Sequence, residues 1–166
     1  LYSSLVRRLL GDIQTAGLEI DMIAPDHGLI WRTNPSRVIE AWDGWSNQKT
    51  GNKALVVYDT MWKSTEAMAA AIARGLIHEG VSVKLMNLAV CHRSDIVTEL
   101  LDARALVLGS ATLNNGMLPR MADFLCYIKG LRPGNKIGAA FGSYGWGGEA
   151  VKLINAAMED LKIELI

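Results

Sequence analysis

The sequence predicts a doubly wound α/β fold, a five-stranded parallel sheet covered by helices, preceded by a short segment of different character. Three observations carry this. From residue 53 onward, apolar runs of strand length alternate with amphipathic stretches of helix length. The first of these runs, Ala54 to Tyr58, is apolar throughout, as expected of a strand buried on both faces. The strand ends carry hydroxyl, Gly, Asn and aromatic residues, and ligands of such sheets lie outside the carboxyl ends of the strands.

Taken in order, Leu1 to Gly17 places Leu5, Leu9, Leu10 and Ile13 at helical spacing among charged residues, and Gly17 ends that helix. Leu18 to Ala24 alternates and predicts a strand, stopped by Pro25. Pro25-Asp26-His27-Gly28 is a polar loop. Residues 30–51 hold Trp31, Pro35, Trp42, Trp45 and Asn47 with no clear period, and are expected to be an irregular linker. The domain boundary is placed near Gly51, giving segments 1–50 and 51–166. The strands are then Lys53–Tyr58, Val81–Leu88, Ala105–Gly109, Lys136–Phe141 and Lys162–Ile166. The helices are Thr65–Glu79, Asp95–Asp102, Leu118–Gly130 and Glu149–Asp160, with Gly80 capping the first. Strand–helix alternation requires crossover connections, hence parallel strands.

Bulk composition narrows the function. Half of the 166 residues are hydrophobic, enough for a sizeable core. Seventeen Lys and Arg balance seventeen Asp and Glu, which gives no reason to expect nucleic acid or an anionic membrane as partner. No apolar stretch reaches membrane-spanning length. Cys91 and Cys126 lie far apart, outside any C-x-x-C pattern, and are expected to be reduced thiols of a cytoplasmic protein, Cys126 within a helix core. The chain opens on Leu1 inside a helical pattern, which suggests a piece of a longer polypeptide.

The chemistry gathers at three strand ends. Thr60, Met61, Trp62, Lys63, Ser64 and Thr65 join the first strand to a helix N-terminus. Unpaired N–H groups and the helix dipole make such a turn a phosphate site; the same residues also suit a plain N-cap. Lys63 either steers a phosphate or is solvated, and Trp62 either flanks a ligand or covers the loop. After the third strand comes Ser110-Ala111-Thr112-Leu113-Asn114-Asn115-Gly116, and after the fourth Gly142-Ser143-Tyr144-Gly145-Trp146-Gly147-Gly148. Small residues let the backbone approach a planar ligand, and Tyr144 and Trp146 offer stacking faces. Neither G-x-G-x-x-G nor G-x-x-x-x-G-K-[ST] is present, which favours a mononucleotide over a dinucleotide or a P-loop triphosphate. His27 suits iron or zinc as a ligand, or is simply a loop histidine. Met61, Met117 and Met121 are expected to pack in the core or at ring edges. Cys91-His92 lacks partners for a metal site.

Three stretches, Tyr58–Thr65, Thr112–Gly116 and Phe141–Glu149, together resemble the flavodiiron proteins (A-type flavoproteins), the rubredoxin:oxygen oxidoreductases among them. Pro25 to Arg32 resembles the last metal-ligand motif of that family's metallo-β-lactamase-like domain. The resemblance implies a flavodoxin-like sheet of order 2-1-3-4-5 over 51–166, preceded by the C-terminal tail of the lactamase-like domain over 1–50. It implies FMN, its phosphate on Thr60 to Thr65 and its ring between Thr112–Gly116 and Ser143–Gly148. It implies that His27 binds one iron of a non-haem di-iron site whose other ligands this chain lacks. Electrons would pass from rubredoxin or a similar donor through FMN to iron, reducing oxygen to water or nitric oxide to nitrous oxide. A head-to-tail homodimer would set FMN against the partner's iron. The alternatives are a stand-alone flavodoxin-like electron carrier, which has no need of Pro25–Arg32, and a hydrolase piece, against which the loops argue.

Overall fold

The computed structural model describes residues 2–166, so Leu1, the start of the first predicted helix, lies outside the described residues. The chain forms two compact units, 2–49 and 50–166.

The first unit holds α1 (Ser3–Thr15) and α2 (Ser36–Ser46). Gly17 at φ 60° follows α1 in the left-handed region. Two expectations fail here. Leu18–Ala24 is not a strand: only Ile23 pairs, antiparallel, with Trp31 across a loop, and Leu18 and Met22 stay exposed. Alternation alone cannot make a strand that has no longer partner to bond. Residues 36–46 are a helix rather than linker. Val38, Trp42 and Trp45 sit at spacings of four and three, and Pro35, whose fixed φ suits a helix start, precedes it. Arg7 ties the two helices by donating to the Ser46 carbonyl at 2.6 Å.

The second unit is the predicted α/β sheet. Its strands are β1 (Gly51–Tyr58), β2 (Ser82–Asn87), β3 (Ala103–Gly109), β6 (Ile137–Phe141) and β7 (Glu164–Leu165). They lie in the order β2-β1-β3-β6-β7, and every pair is parallel. A small antiparallel hairpin, β4 (Thr112–Leu113) and β5 (Gly116–Met117), interrupts the numbering, so the order is the expected 2-1-3-4-5. The last strand is shorter than Lys162–Ile166, because Lys162 turns at φ 60°. The helices are α3 (Ser64–His78), α4 (Arg93–Leu100), α5 (Pro119–Leu131) and α6 (Glu149–Asp160).

The pleat of β1 sorts its side chains into two cores. Leu55 and Val57 join Leu106 and Leu108 against Ile96 of α4, Phe124 and Ile128 of α5, and Ile154 and Met158 of α6. Val56 and Tyr58 join Val107 and Phe141 against Ala69, Ile72 and Leu76 of α3. All five residues from Ala54 to Tyr58 are buried, as their unbroken apolar run predicts. On α5 the buried stripe is Met121, Phe124, Leu125 and Ile128. Cys126 falls off that stripe and is exposed, contrary to expectation. Met121 is buried and Met117 packs at the core edge, but Met61 is exposed, since its loop runs over the sheet's end instead of under a helix.

Candidate functional site

The carboxyl ends of β1, β3 and β6 meet because their strands are neighbours in register. Tyr58 stands opposite Gly109, and Gly109 opposite Phe141. Contact is close enough that two glycines are required. A Cβ at Gly109 would overlap the Phe141 ring, and one at Gly142 would strike the Ser110 carbonyl oxygen. Asp59 N–H donates to the Gly109 carbonyl at 2.9 Å, and Ser110 N–H to the Phe141 carbonyl at 3.1 Å, so the parallel ladder runs into the loops.

In the first loop, Asp59 is buried, accepting the Thr60 N–H at 3.0 Å and facing the Arg120 guanidinium at 3.6 Å. Burial, with the Glu66 carboxylate close by, pushes the Tyr58 phenol above its usual range. Thr60 Oγ1 is buried and has no hydrogen-bond partner. Lys63 holds φ 66°, an uncommon conformation for a lysine, and as the N-cap of α3 makes no side-chain cap bond. The first turn of α3 thus has no side-chain cap, and a plain side-chain cap is not what this turn builds. Ser64 is exposed at the helix start. Thr65 is fully buried, and its Oγ1 shares a hydrogen bond with Ser143 Oγ at 3.1 Å, tying the first loop to the third.

The second loop is more ordered than its composition indicates. Ser110, fully buried, donates from Oγ to the Ala111 carbonyl and accepts the Leu118 N–H, both at 2.9 Å. Asn114 and Asn115, at φ 50° and 57°, form the turn of the β4–β5 hairpin. Two consecutive left-handed residues match the right-handed twist of a hairpin, and Asn tolerates them best after Gly. Thr112 N–H donates to the Ser143 carbonyl at 2.9 Å, joining the second loop to the third. Thr112, Leu113 and Gly116 are half-buried in the hairpin.

The third loop displays its aromatics. Trp146 is 99% exposed, and across the edge Trp62 is 83% exposed. Tyr144, also exposed, lies over Gly148, where a Cβ would come within 3.4 Å of its ring. Exposed Trp beside Gly145 and Gly147 is an apolar surface with no partner among the described residues.

The sequence thus identified three loops that the fold brings together. It missed three features: the hairpin, the buried Thr65–Ser143 link and Glu149, whose Oε2 is buried without a partner. The pair Asn114-Asn115 between Leu113 and Gly116 was a legible hairpin signal. His27 lies in the exposed loop between Ile23 and Trp31, and among the described residues no three metal-capable side chains come together. The donors of this chain do not by themselves fit a di-iron centre. His92 acts locally, its Nδ1 accepting the Ser94 N–H at 3.3 Å and so capping α4. It lines a separate pocket with Cys91, Arg93 and Arg120, where Arg93 binds Asp123 at 2.9 Å.

A family model described as flavodoxin matches residues 56–166. The nitric oxide reductase of Moorella thermoacetica is 48% identical over 165 residues, covering 99% of this chain and 41% of that protein. The chain thus spans about two fifths of the length of the curated relatives it matches. The solved rubredoxin oxygen:oxidoreductase of Desulfovibrio gigas superposes with a TM-score of 0.94 at 41% identity, over 99% of this chain and 41% of the other. The flavodiiron protein of Giardia intestinalis gives 0.92 at 32% identity, with the same coverage. With one sheet order, one set of strand-end loops and these likenesses along its length, the chain belongs to the flavodoxin family, in the form found in flavodiiron proteins.

Proposed function

We propose that this chain binds FMN at the carboxyl edge of its sheet and is the electron-transfer part of a flavodiiron oxidoreductase. The observation that carries the reading is the first loop: an uncapped α3 N-terminus, a left-handed Lys63 and an orphaned Thr60 hydroxyl, all beside one another in sequence. Together they offer N–H and O–H donors to a phosphate and leave no internal acceptor for them. In this reading Thr60, Ser64 and the α3 amides hold the phosphate, and Lys63 supplies charge. Thr65 shares its hydroxyl between Ser143 and the ligand. The hairpin of Thr112–Gly116 and the loop Ser143–Gly148 clasp the ring, and Met61, Trp62, Tyr144 and Trp146 shield its faces from water. Bound FMN supplies reversible one- and two-electron transfer.

We propose a larger assignment as well, which the likeness to flavodiiron relatives supports. Electrons come from rubredoxin or a similar donor, and oxygen or nitric oxide is reduced at a di-iron site to which this chain contributes His27. Residues 1–50 are then the C-terminal tail of a metallo-β-lactamase-like domain, and 51–166 the FMN domain. The fully exposed Trp146 supports a ring edge covered by a second subunit, as in a head-to-tail homodimer. The two free thiols support a cytoplasmic setting, and no helix among the described residues is long and apolar enough to cross a membrane. Denaturing the purified chain and chromatographing the released flavin tests the central point. FMN supports it; FAD, or no flavin after incubation with FMN, refutes it.

A further inference from the structure

Among the described residues two buried side-chain oxygens lack a hydrogen-bond partner, Thr60 Oγ1 and Glu149 Oε2. The first belongs to the phosphate turn. The second is on the first residue of α6, directly after Gly147-Gly148, where the next residue, Ala150, donates its N–H to Thr112 Oγ1 of the second loop at 3.4 Å. Its carboxylate is tucked against the loop, for a Cβ at Gly147 would overlap both of its oxygens. A carboxylate in a first helical turn gains from the helix dipole. That accounts for its charge, but not for an oxygen withdrawn from water with no donor to replace the lost hydration.

We infer that Glu149 Oε2 accepts a hydrogen bond from FMN, and that Glu149 is a binding residue that orients the flavin. The inference rests on the FMN reading above. A carboxylate recognises donors only. The donors that FMN offers are a ring N–H and the ribityl hydroxyls; its phosphate and ring carbonyls would be repelled. Glu149 thus fixes which part of FMN lies by Gly147 and complements the phosphate turn, which recognises acceptors. Its negative charge opposes electron uptake by the flavin, so it also holds the midpoint potential down.

Glu149→Gln keeps an acceptor oxygen and the shape but removes the charge; Glu149→Ala removes both. The 166-residue chain and both variants are titrated with FMN, their thermal unfolding is measured without flavin, and the midpoint potential of the bound flavin is determined. The Ala variant is expected to bind FMN about 10- to 100-fold more weakly, a charge-assisted bond being lost. The Gln variant, which keeps a neutral acceptor, should recover part of that affinity while its potential rises. If both variants keep the parent's dissociation constant and potential and differ only in unfolding temperature, Glu149 serves the helix alone and the assignment falls. If the parent chain binds no FMN, the FMN reading falls and the Glu149 assignment with it.

Discussion

Replacing Thr65 by Ala separates the two roles given to that residue. Thr65 is fully buried, and its hydroxyl is bonded to Ser143 at 3.1 Å. Without flavin, the change removes a buried methyl, about 0.8 kcal/mol, and a neutral hydrogen bond, about 1 kcal/mol. Ser143 is only half-buried, so water can reach its freed hydroxyl and no further penalty arises. The apo chain should lose about 2 kcal/mol, read as a lowered urea midpoint at constant slope. If the same hydroxyl also serves the phosphate, a bond to a charged acceptor goes as well, worth about 1.5–3 kcal/mol, or about 10- to 150-fold in the FMN dissociation constant by fluorescence titration. Thr65→Ser keeps the hydroxyl and should retain most of the affinity while losing the methyl contribution. An Ala variant that unfolds more easily yet binds FMN with unchanged affinity would refute a phosphate role and leave Thr65 only the link between loops.

Further outcomes follow from single residues. Trp146→Ala, at a side chain that touches little, should change apo stability by less than about 0.5 kcal/mol, yet weaken FMN about 2- to 10-fold through lost stacking, measured by the same titration. Gly142→Ala should destabilise by about 3 kcal/mol or prevent soluble folding, because the new methyl meets the Ser110 carbonyl and backbone cannot step aside; urea midpoints and soluble yield check it. Burial pushes the Lys136 ammonium down to about 8, its Nζ donating to the Ala103 carbonyl at 2.6 Å. Below that value both states are protonated and the burial penalty is fully felt. Between about pH 8 and 10.5 the unfolded chain holds more protons, so the Lys136 contribution makes stability rise with pH, and Lys136→Met should abolish that rise in urea midpoints taken across this range.

How far the sequence could be read depended on what each residue answers to. Ala54 to Tyr58 answers to burial on two faces, and its unbroken apolar run stated that directly. Parallel strands followed from strand–helix alternation, and their order from the resemblance. Leu18 to Ala24 misled because alternation is only half of a strand; the other half is a partner, and only Ile23 finds one. The helix Ser36–Ser46 was hidden because its bulky Trp residues and Gly44 weaken local propensity while the apolar spacing still decides. At the site, residue types marked the loops, but the roles within them depend on contacts distant in sequence. Thr65 and Ser143 are 78 residues apart, and nothing near either one foretells their bond. Glu149 resembles any acidic residue opening a helix, and only its Oε2, buried without a partner beside Gly147, distinguishes it.

The central claim is that the first loop recognises a phosphate, and isothermal titration of the flavin-free chain with FMN and with riboflavin tests it most directly. The two ligands share the ring and ribityl chain and differ only in the phosphate that the α3 N-terminus, Thr60 and Ser64 are proposed to hold. Two or more charge-assisted bonds predict one FMN bound per chain, with riboflavin weaker by at least about a hundredfold. Equal affinity for the two, or no binding of FMN, would contradict the account.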